Sequence, residues 1–400
     1  MVQAVILAAG KSTRTYPLTL TRPKSLLPIM NRLLLEHILD SLIDTGKIDE
    51  AIIVTGYKGE MIKDYFKGKY KSLSLKYQEQ EEQLGTWDAV YKVKDLIENR
   101  FVVLYGDNLH SSHDIKHCLD YTYAVSLIET ETPELFGIAK MDNYLIKDFV
   151  EKPKEYVGNL ASSGILVFDK DVFKYNPFFS GTGEAYLTDM VNLLCREKPV
   201  YGIRLNGYWL PVGYPWDLLA ANEFFINKIN TTVIGGIVEN GVKIVGDVHI
   251  GKGTLVKAPT RIEGPVVIGE NCVIGPGFIR AGTTIGNNCI IGCPEIKNSI
   301  IMNNTKIKHH GYIGDSILGE NVNIGAGTVA ADSLNDDPPQ IVRSTVNGML
   351  ISTGRTKFGT VIGDGAKTGV NTSIKPGRKI WPGMKLDANL TIHKDIMEEK

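Results

Sequence analysis

The chain has 400 residues, 43% of them hydrophobic, with 44 Lys and Arg against 45 Asp and Glu and a net charge of −1. That length exceeds one ordinary core and implies two domains or more. The even charge balance leaves no footprint for nucleic acid or an anionic membrane, and no apolar run reaches the roughly 18 residues of a membrane span.

The N-terminal "MVQAVILAAG" reads as a buried first strand rather than a signal peptide, because it lacks a basic start and runs into glycine and charge. The five cysteines (118, 195, 272, 289 and 293) show no CxxC spacing. Free thiols in a reducing cytoplasm are the expectation. Further strands are expected at "EAIIVTGY", "SLKYQ" and "RFVVLYGD". Helical spacing of apolar residues marks "NRLLLEHILDSLIDTG" and "GTWDAVYKVKDLIEN" between them. This alternation predicts an α/β, Rossmann-like domain over residues 1–228, with a mostly parallel sheet and helices on both faces. Ligands of such sheets collect at the carboxyl ends of the strands.

Past the helix-like "YPWDLLAANEFFINKIN" the period changes. Aliphatic–glycine pairs recur at Ile250-Gly251, Ile268-Gly269, Ile274-Gly275, Ile285-Gly286, Ile291-Gly292, Ile313-Gly314, Leu318-Gly319, Ile324-Gly325 and Ile362-Gly363. Many are six residues apart or a multiple of six, the mark of a hexapeptide-repeat parallel β-helix over residues 229–400. The hexapeptide class winds left-handed. "SLNDDPPQIVRSTVNGMLISTGRTKF" breaks the repeat and is expected to leave the coil.

Directly after the first strand, "LAAGKSTRTYPLTLTRPKSLLPI" combines small residues with Lys11, Arg14 and Lys24. Backbone amides of such a loop approach phosphate closely, and the cations complement it. The string resembles the signature of sugar-1-phosphate nucleotidylyltransferases. The likeness continues in order through "QEEQLGT", "YGD", "FGI", "VEKP", "NLASSGI" and "EAYLTD". It implies nucleotide contacts from Leu7, Ala8, Ala9, Gly10 and Lys11, and from Gln80, Gln83, Gly85, Thr86 and Gly106. Asp107 would bind Mg²⁺. Gly137, Glu151, Ser162 and Thr188 would face the sugar, and Lys152 its phosphate. Arg14 falls to the transferring and leaving phosphates and Lys24 to the α-phosphate. The implied reaction joins UTP or dTTP to glucose or N-acetylglucosamine 1-phosphate, releasing pyrophosphate.

Two positions depart from this pattern. Ser12 replaces the second glycine of the loop, and Pro211 stands in "WLPVG" where relatives carry a second metal ligand. Asp217 is near in sequence but reads as an early-turn helix residue. His110, His113 and His117 fit no zinc spacing and read as surface histidines at a helix start.

In the coil, "RAGTTIG", "EIKNS", "KHHGYIGDS" and "NVNIGAGT" follow the order of the acetyltransferase region of the bifunctional family that acetylates glucosamine 1-phosphate and then uridylates it. Tyr312 anchors that alignment, is itself implied to bind the substrate, and makes His309 the implied base, with His310 a bystander. Glu295 would orient His309. Arg280, Lys297 and Lys357 would neutralise the sugar phosphate, while Asn323 and the Ala326 amide complete the implied site. Acetyl-CoA is the implied co-substrate, bound between coils of a homotrimer. The bacterial asparagine-tyrosine segment is replaced by "VAADSLNDDPPQ", and Val370 takes the place of a serine. The chain here resembles archaeal-type two-domain enzymes instead. The same coil is compatible with a monofunctional nucleotidylyltransferase whose β-helix only oligomerises or regulates, and Ser12 and Pro211 raise a non-catalytic homologue.

Overall fold

In the computed structural model, which describes residues 2–179, 181 and 183–397, the first apolar run forms the strand Val2–Ala8. Ala4, Val5 and Ile6 are fully buried, as a strand covered on both faces requires. Ile48–Thr55 and Phe101–Tyr105 flank it in parallel, and Leu73–Glu79 pairs parallel beyond Ile48–Thr55. The other half of the sheet is mixed. Leu160–Phe168 runs antiparallel to both Phe101–Tyr105 and Ala124–Glu129, and Tyr201–Arg204 returns parallel to Ala124–Glu129. Among the helices are Leu34–Asp44, Thr86–Tyr91 and Leu187–Cys195. One core cluster runs from Val5 through Trp87 and Phe101 to Leu187 and Leu194.

The repeat region forms a left-handed parallel β-helix. Its short strands stack in three ladders, such as Val266–Ile268, Thr284–Ile285 and Ile300–Ile301 on one face. Ile250, Ile268, Ile285, Ile301, Leu318, Ile362 and Ile380 are all buried along this ladder. The glycine after each aliphatic residue answers a steric demand: a Cβ on Gly251 would lie 2.5 Å from the Gly269 carbonyl carbon on the next coil. Asn271, Asn288, Asn304 and Asn321 turn other corners with φ of 55–61°, a left-handed conformation that asparagine tolerates. The break in the repeat leaves the coil as an antiparallel hairpin, Arg343–Val346 with Met349–Ser352.

The molecule divides into two compact units, one of Met1–Lys11, Pro23–Leu26 and Leu34–Pro211, the other of Ser12–Arg22, Leu27–Leu33 and Val212–Lys400. Two short N-terminal segments therefore cluster with the coil. Arg22 bonds Glu320 at 3.0 Å and also Asp364, which accepts from the Thr21 hydroxyl at 2.6 Å. Asn222, on helix Pro215–Ile226, accepts from the Met30 amide at 3.0 Å and donates to the Gly282 carbonyl at 3.0 Å. No helix of the described residues is long and apolar enough to cross a membrane.

Candidate functional site

In the first unit, the expected residues gather at the carboxyl ends of the parallel strands. Leu7 and Ala8 end the first strand. Gly106 presses against it, its amide donating to the Leu7 carbonyl at 2.9 Å. A Cβ at Gly106 would sit 2.7 Å from that oxygen, so only glycine fits. The next residue, Asp107, accepts from the Lys24 ammonium at 2.7 Å. Lys24 is buried while the Asp107 side chain is 37% exposed. A lone exposed carboxylate suits Mg²⁺, which takes one or two carboxylates and fills its shell with substrate phosphates and water.

Ala9 and Gln83 meet through the Gln83 amide, 3.1 Å from the Ala9 carbonyl. Gln80 differs from expectation. Its amide nitrogen is buried and spent on Gly85 O at 3.1 Å and Asp88 Oδ2 at 2.8 Å, so it shapes the loop. Gly85 has φ of 103°, and a Cβ there would strike the Ala185 carbonyl at 2.3 Å. The Thr86 hydroxyl accepts from the Leu187 amide at 3.0 Å.

The residues expected to face the sugar form a second group. Thr188 donates to Glu151 at 3.2 Å, and a Cβ on Gly137 would lie 2.9 Å from both side chains. Lys152 follows with φ of 42° and its ammonium 3.8 Å from Glu151. Ser162 lies on Leu160–Phe168 opposite Leu127. Tyr105 adjoins this group. Burial, and then the Glu151 charge, hold its hydroxyl far above the usual range while Thr86 bonds it.

His110 also departs from the sequence reading. It ends the short strand Asn108–His110 and is buried, with Nε2 2.9 Å from the Ser163 carbonyl. His113 and His117 lie on the following helix. Pro211 pairs in the ladder with Asn108, next to Asp107. Among the described residues no group of three or more His, Cys, Asp or Glu could hold a metal.

Within the second unit, Ser12 adopts φ 53° and ψ 49°, a left-handed turn that glycine takes without strain. Its carbonyl accepts from Thr15 and Thr19 hydroxyls, both at 2.8 Å. The Arg14 guanidinium lies 5.1 Å from the Tyr214 ring centroid. Asp217 caps its helix, accepting from the Gly213 and Tyr214 amides at 2.9 and 2.8 Å. Gly10 and Lys11 precede this segment, Lys11 exposed.

On the coil, Glu295 and Tyr312 are neighbours across one ladder. Glu295 does not meet His309; its carboxylate takes the Arg280 guanidinium at 2.8 Å. Arg280 lies one coil before Glu295 on the same ladder, whereas His309 lies at the corner that precedes Gly311–Gly314. His309 and His310 are exposed between Lys306–Ile307 and Gly311–Gly314. Lys297 also differs from expectation. Its ammonium sits 2.6 Å from Asp332 and 2.9 Å from Asp315, so its charge is already matched. Burial opposes this charge, but the two carboxylates raise the Lys297 pKa. Tyr312 donates to Asp332 at 3.0 Å. Asn323 lines a groove of about 700 Å³ together with Lys306, Lys308 and Lys367. The Ala326 carbonyl accepts from the Asn371 amide at 2.7 Å, and Lys357 is exposed beside buried Phe358.

Comparison with known proteins covers both units. The family described as Nucleotidyl transferase matches residues 3–228, and the GMPPB C-terminal domain matches residues 262–348. Bifunctional protein GlmU of Methanocaldococcus jannaschii is 41% identical over 401 residues, covering 99% of this chain and 96% of the relative. The bifunctional sugar-1-phosphate nucleotidylyltransferase/acetyltransferase of Sulfurisphaera tokodaii is 34% identical, covering 99% and 98%. A Bacillus anthracis structure described as a glucose-1-phosphate thymidylyltransferase superposes with a TM-score of 0.53 at 28% identity, covering 58% of this chain and 98% of that one.

Proposed function

Because the chain belongs to the family of bifunctional sugar-1-phosphate nucleotidylyltransferases/acetyltransferases, we propose that it performs two transfers on sugar phosphates, the first by residues 1–228 and the second by 229–400. In the first, an oxygen of glucose or N-acetylglucosamine 1-phosphate attacks the α-phosphorus of UTP or dTTP in line. A P–O bond forms as the bond to pyrophosphate breaks. Such chemistry needs positioning and charge neutralisation more than covalent help. Arg14 meets the transferring and leaving phosphates, and Lys24 the α-phosphate. Asp107 would hold Mg²⁺, which supplies further charge neutralisation when bound.

In the second, the amine of glucosamine or galactosamine 1-phosphate attacks the thioester carbonyl of acetyl-CoA. His309 takes the amine proton, the C–S bond breaks, and coenzyme A leaves as a thiol. Arg280, held by Glu295, and exposed Lys357 meet the sugar phosphate. A homotrimer with acetyl-CoA between its coils, in the cytoplasm, completes the proposal. Five free cysteines support a reducing compartment.

The observation that carries the second activity is one ladder: Glu295 and Tyr312 stand on successive coils with Arg280 attached, directly after exposed His309. A coil that only supports the first activity is the second reading, favoured by the Arg22 bonds to Glu320 and Asp364. Free thiol released from acetyl-CoA and glucosamine 1-phosphate separates the two. No release above a His309→Ala control ends the acetyltransferase assignment. Pyrophosphate release from UTP or dTTP tests the first transfer.

A further inference from the structure

The segment "VAADSLNDDPPQ", where the chain departs from the bacterial pattern, supplies a carboxylate at the centre of the coil site. Asp332 lies just past Thr328–Ala330, the strand stacked on Gly311–Gly314. Its Oδ2 accepts from the Tyr312 hydroxyl at 3.0 Å and from the Lys297 ammonium at 2.6 Å. Its carbonyl accepts from the Phe358 amide at 2.7 Å, which ties down the segment bearing Lys357. Two residues implied for the acceptor site, Lys297 and Tyr312, thus meet on one aspartate, and the residue next to a third, Lys357, bonds its backbone.

We propose that Asp332 is a positioning residue of the acetyl-transfer site, setting the direction of the Tyr312 hydroxyl and the place of Lys297 through one carboxylate oxygen. The inference rests on the acetyl-transfer reading above. An ionised carboxylate only accepts hydrogen bonds, so the Tyr312 proton points at Asp332. The lone pairs of that hydroxyl then face away and offer an acceptor to an N–H or O–H of the amino sugar. Tyr312 is half-buried, so this acceptor stands at the surface of the coil. Without Asp332 the hydroxyl would rotate freely and present its proton as often as its lone pairs.

The surroundings are built for this arrangement. A Cβ on Gly314 would lie 2.5 Å from the Tyr312 hydroxyl and 2.8 Å from Asp332 Oδ2, which explains glycine in "YIGD". Burial pushes the Asp332 carboxyl up, yet the Lys297 bond and charge outweigh it and hold the group at about 2. Asp315 takes the other side of Lys297 at 2.9 Å, so the lysine bridges two carboxylates. Lys297 is accordingly a fixed charge beneath the site, and the sugar phosphate falls to Arg280 and Lys357.

The test uses the full-length protein and compares Asp332→Asn, Tyr312→Phe and the double variant in the thiol-release assay. Loss of a charge-assisted hydrogen bond predicts about a tenfold rise in the KM for glucosamine 1-phosphate with Asp332→Asn. The KM for acetyl-CoA and the rate of pyrophosphate release stay at wild-type values. Tyr312→Phe raises the same KM, and the double variant loses less than the sum of the two single losses, because part of the effect of Asp332 passes through the tyrosine and the rest through Lys297. Should Asp332→Asn fail to fold, Tyr312→Phe alone must still reproduce the acceptor defect. An unchanged acceptor KM in an active protein overturns the inference alone, as do equal losses in both activities or fully additive variants. A wild-type chain that releases no thiol overturns the acetyl-transfer reading and the inference together.

Discussion

The Lys24 ammonium lies 2.7 Å from Asp107, a buried cation reaching a carboxylate that faces solvent. Each charge places the other. Removing Lys24 should therefore disturb nucleotidyl transfer far more than folding. Lys24→Ala is expected to slow pyrophosphate release by about a hundredfold, the scale of one preorganised charge at a transferring phosphate. Its melting temperature should stay near wild type, because Asp107 remains hydrated. Lys24→Arg should restore little, since a planar guanidinium does not fit the ammonium's place.

Arg22 makes a different kind of pair. It is 11% exposed and bonds carboxylates on two coils. Burial disfavours its charge, but Glu320 and Asp364 more than offset this and raise its pKa. Arg22→Ala would leave both acids without their counter-charge, though Asp364 keeps the Thr21 bond, and should cost about 1–3 kcal/mol in denaturant unfolding. The double variant Glu320→Gln/Asp364→Asn on the Arg22→Ala background should recover part of that loss. No recovery would show that the pairs do not hold the segment to the coil.

His110 makes stability depend on pH. Burial lowers its pKa to about 4, against the Ser163 bond that raises it. A base whose folded pKa lies below its unfolded value of about 6.5 contributes fully above that value. The contribution disappears as pH falls from about 6.5 to 4, a loss of up to about 3 kcal/mol. Unfolding free energy measured across this range should slope downward towards acid, and His110→Phe should flatten the slope.

Ser12 holds a backbone conformation better suited to glycine. Ser12→Gly is expected to change stability by less than about 1 kcal/mol, because relief of strain and added chain entropy oppose each other. It should keep pyrophosphate release. Ser12→Val, with a β-branched side chain in a left-handed turn, should lose both stability and rate. A fully active valine variant would show that the turn is unimportant to the first transfer.

The architecture was legible wherever a local rule repeats. The aliphatic–glycine pairs announced the coil because these glycines are closely approached by neighbouring coils or side chains, as Gly251 is by the Gly269 backbone. The buried run Ala4–Ile6 announced the central strand. Partners far apart in sequence were not legible. Nothing local says that Arg22 will meet Glu320, or that Lys297 will meet Asp332 from the irregular segment. The order of motifs identified Glu295 but could not show that Arg280, one coil earlier, would take its carboxylate. His110 was misread because a short strand, Asn108–His110, precedes the helix that carries His113 and His117.

The central claim is that one chain holds two separate transfer sites, and crossed variants measure it most directly. Pyrophosphate release and thiol release are recorded for wild type, Asp107→Ala and His309→Ala under the same conditions. The account predicts that Asp107→Ala loses pyrophosphate release and keeps thiol release, and that His309→Ala does the reverse. Thiol release unaffected by His309→Ala, or both activities lost together in either variant, would contradict it.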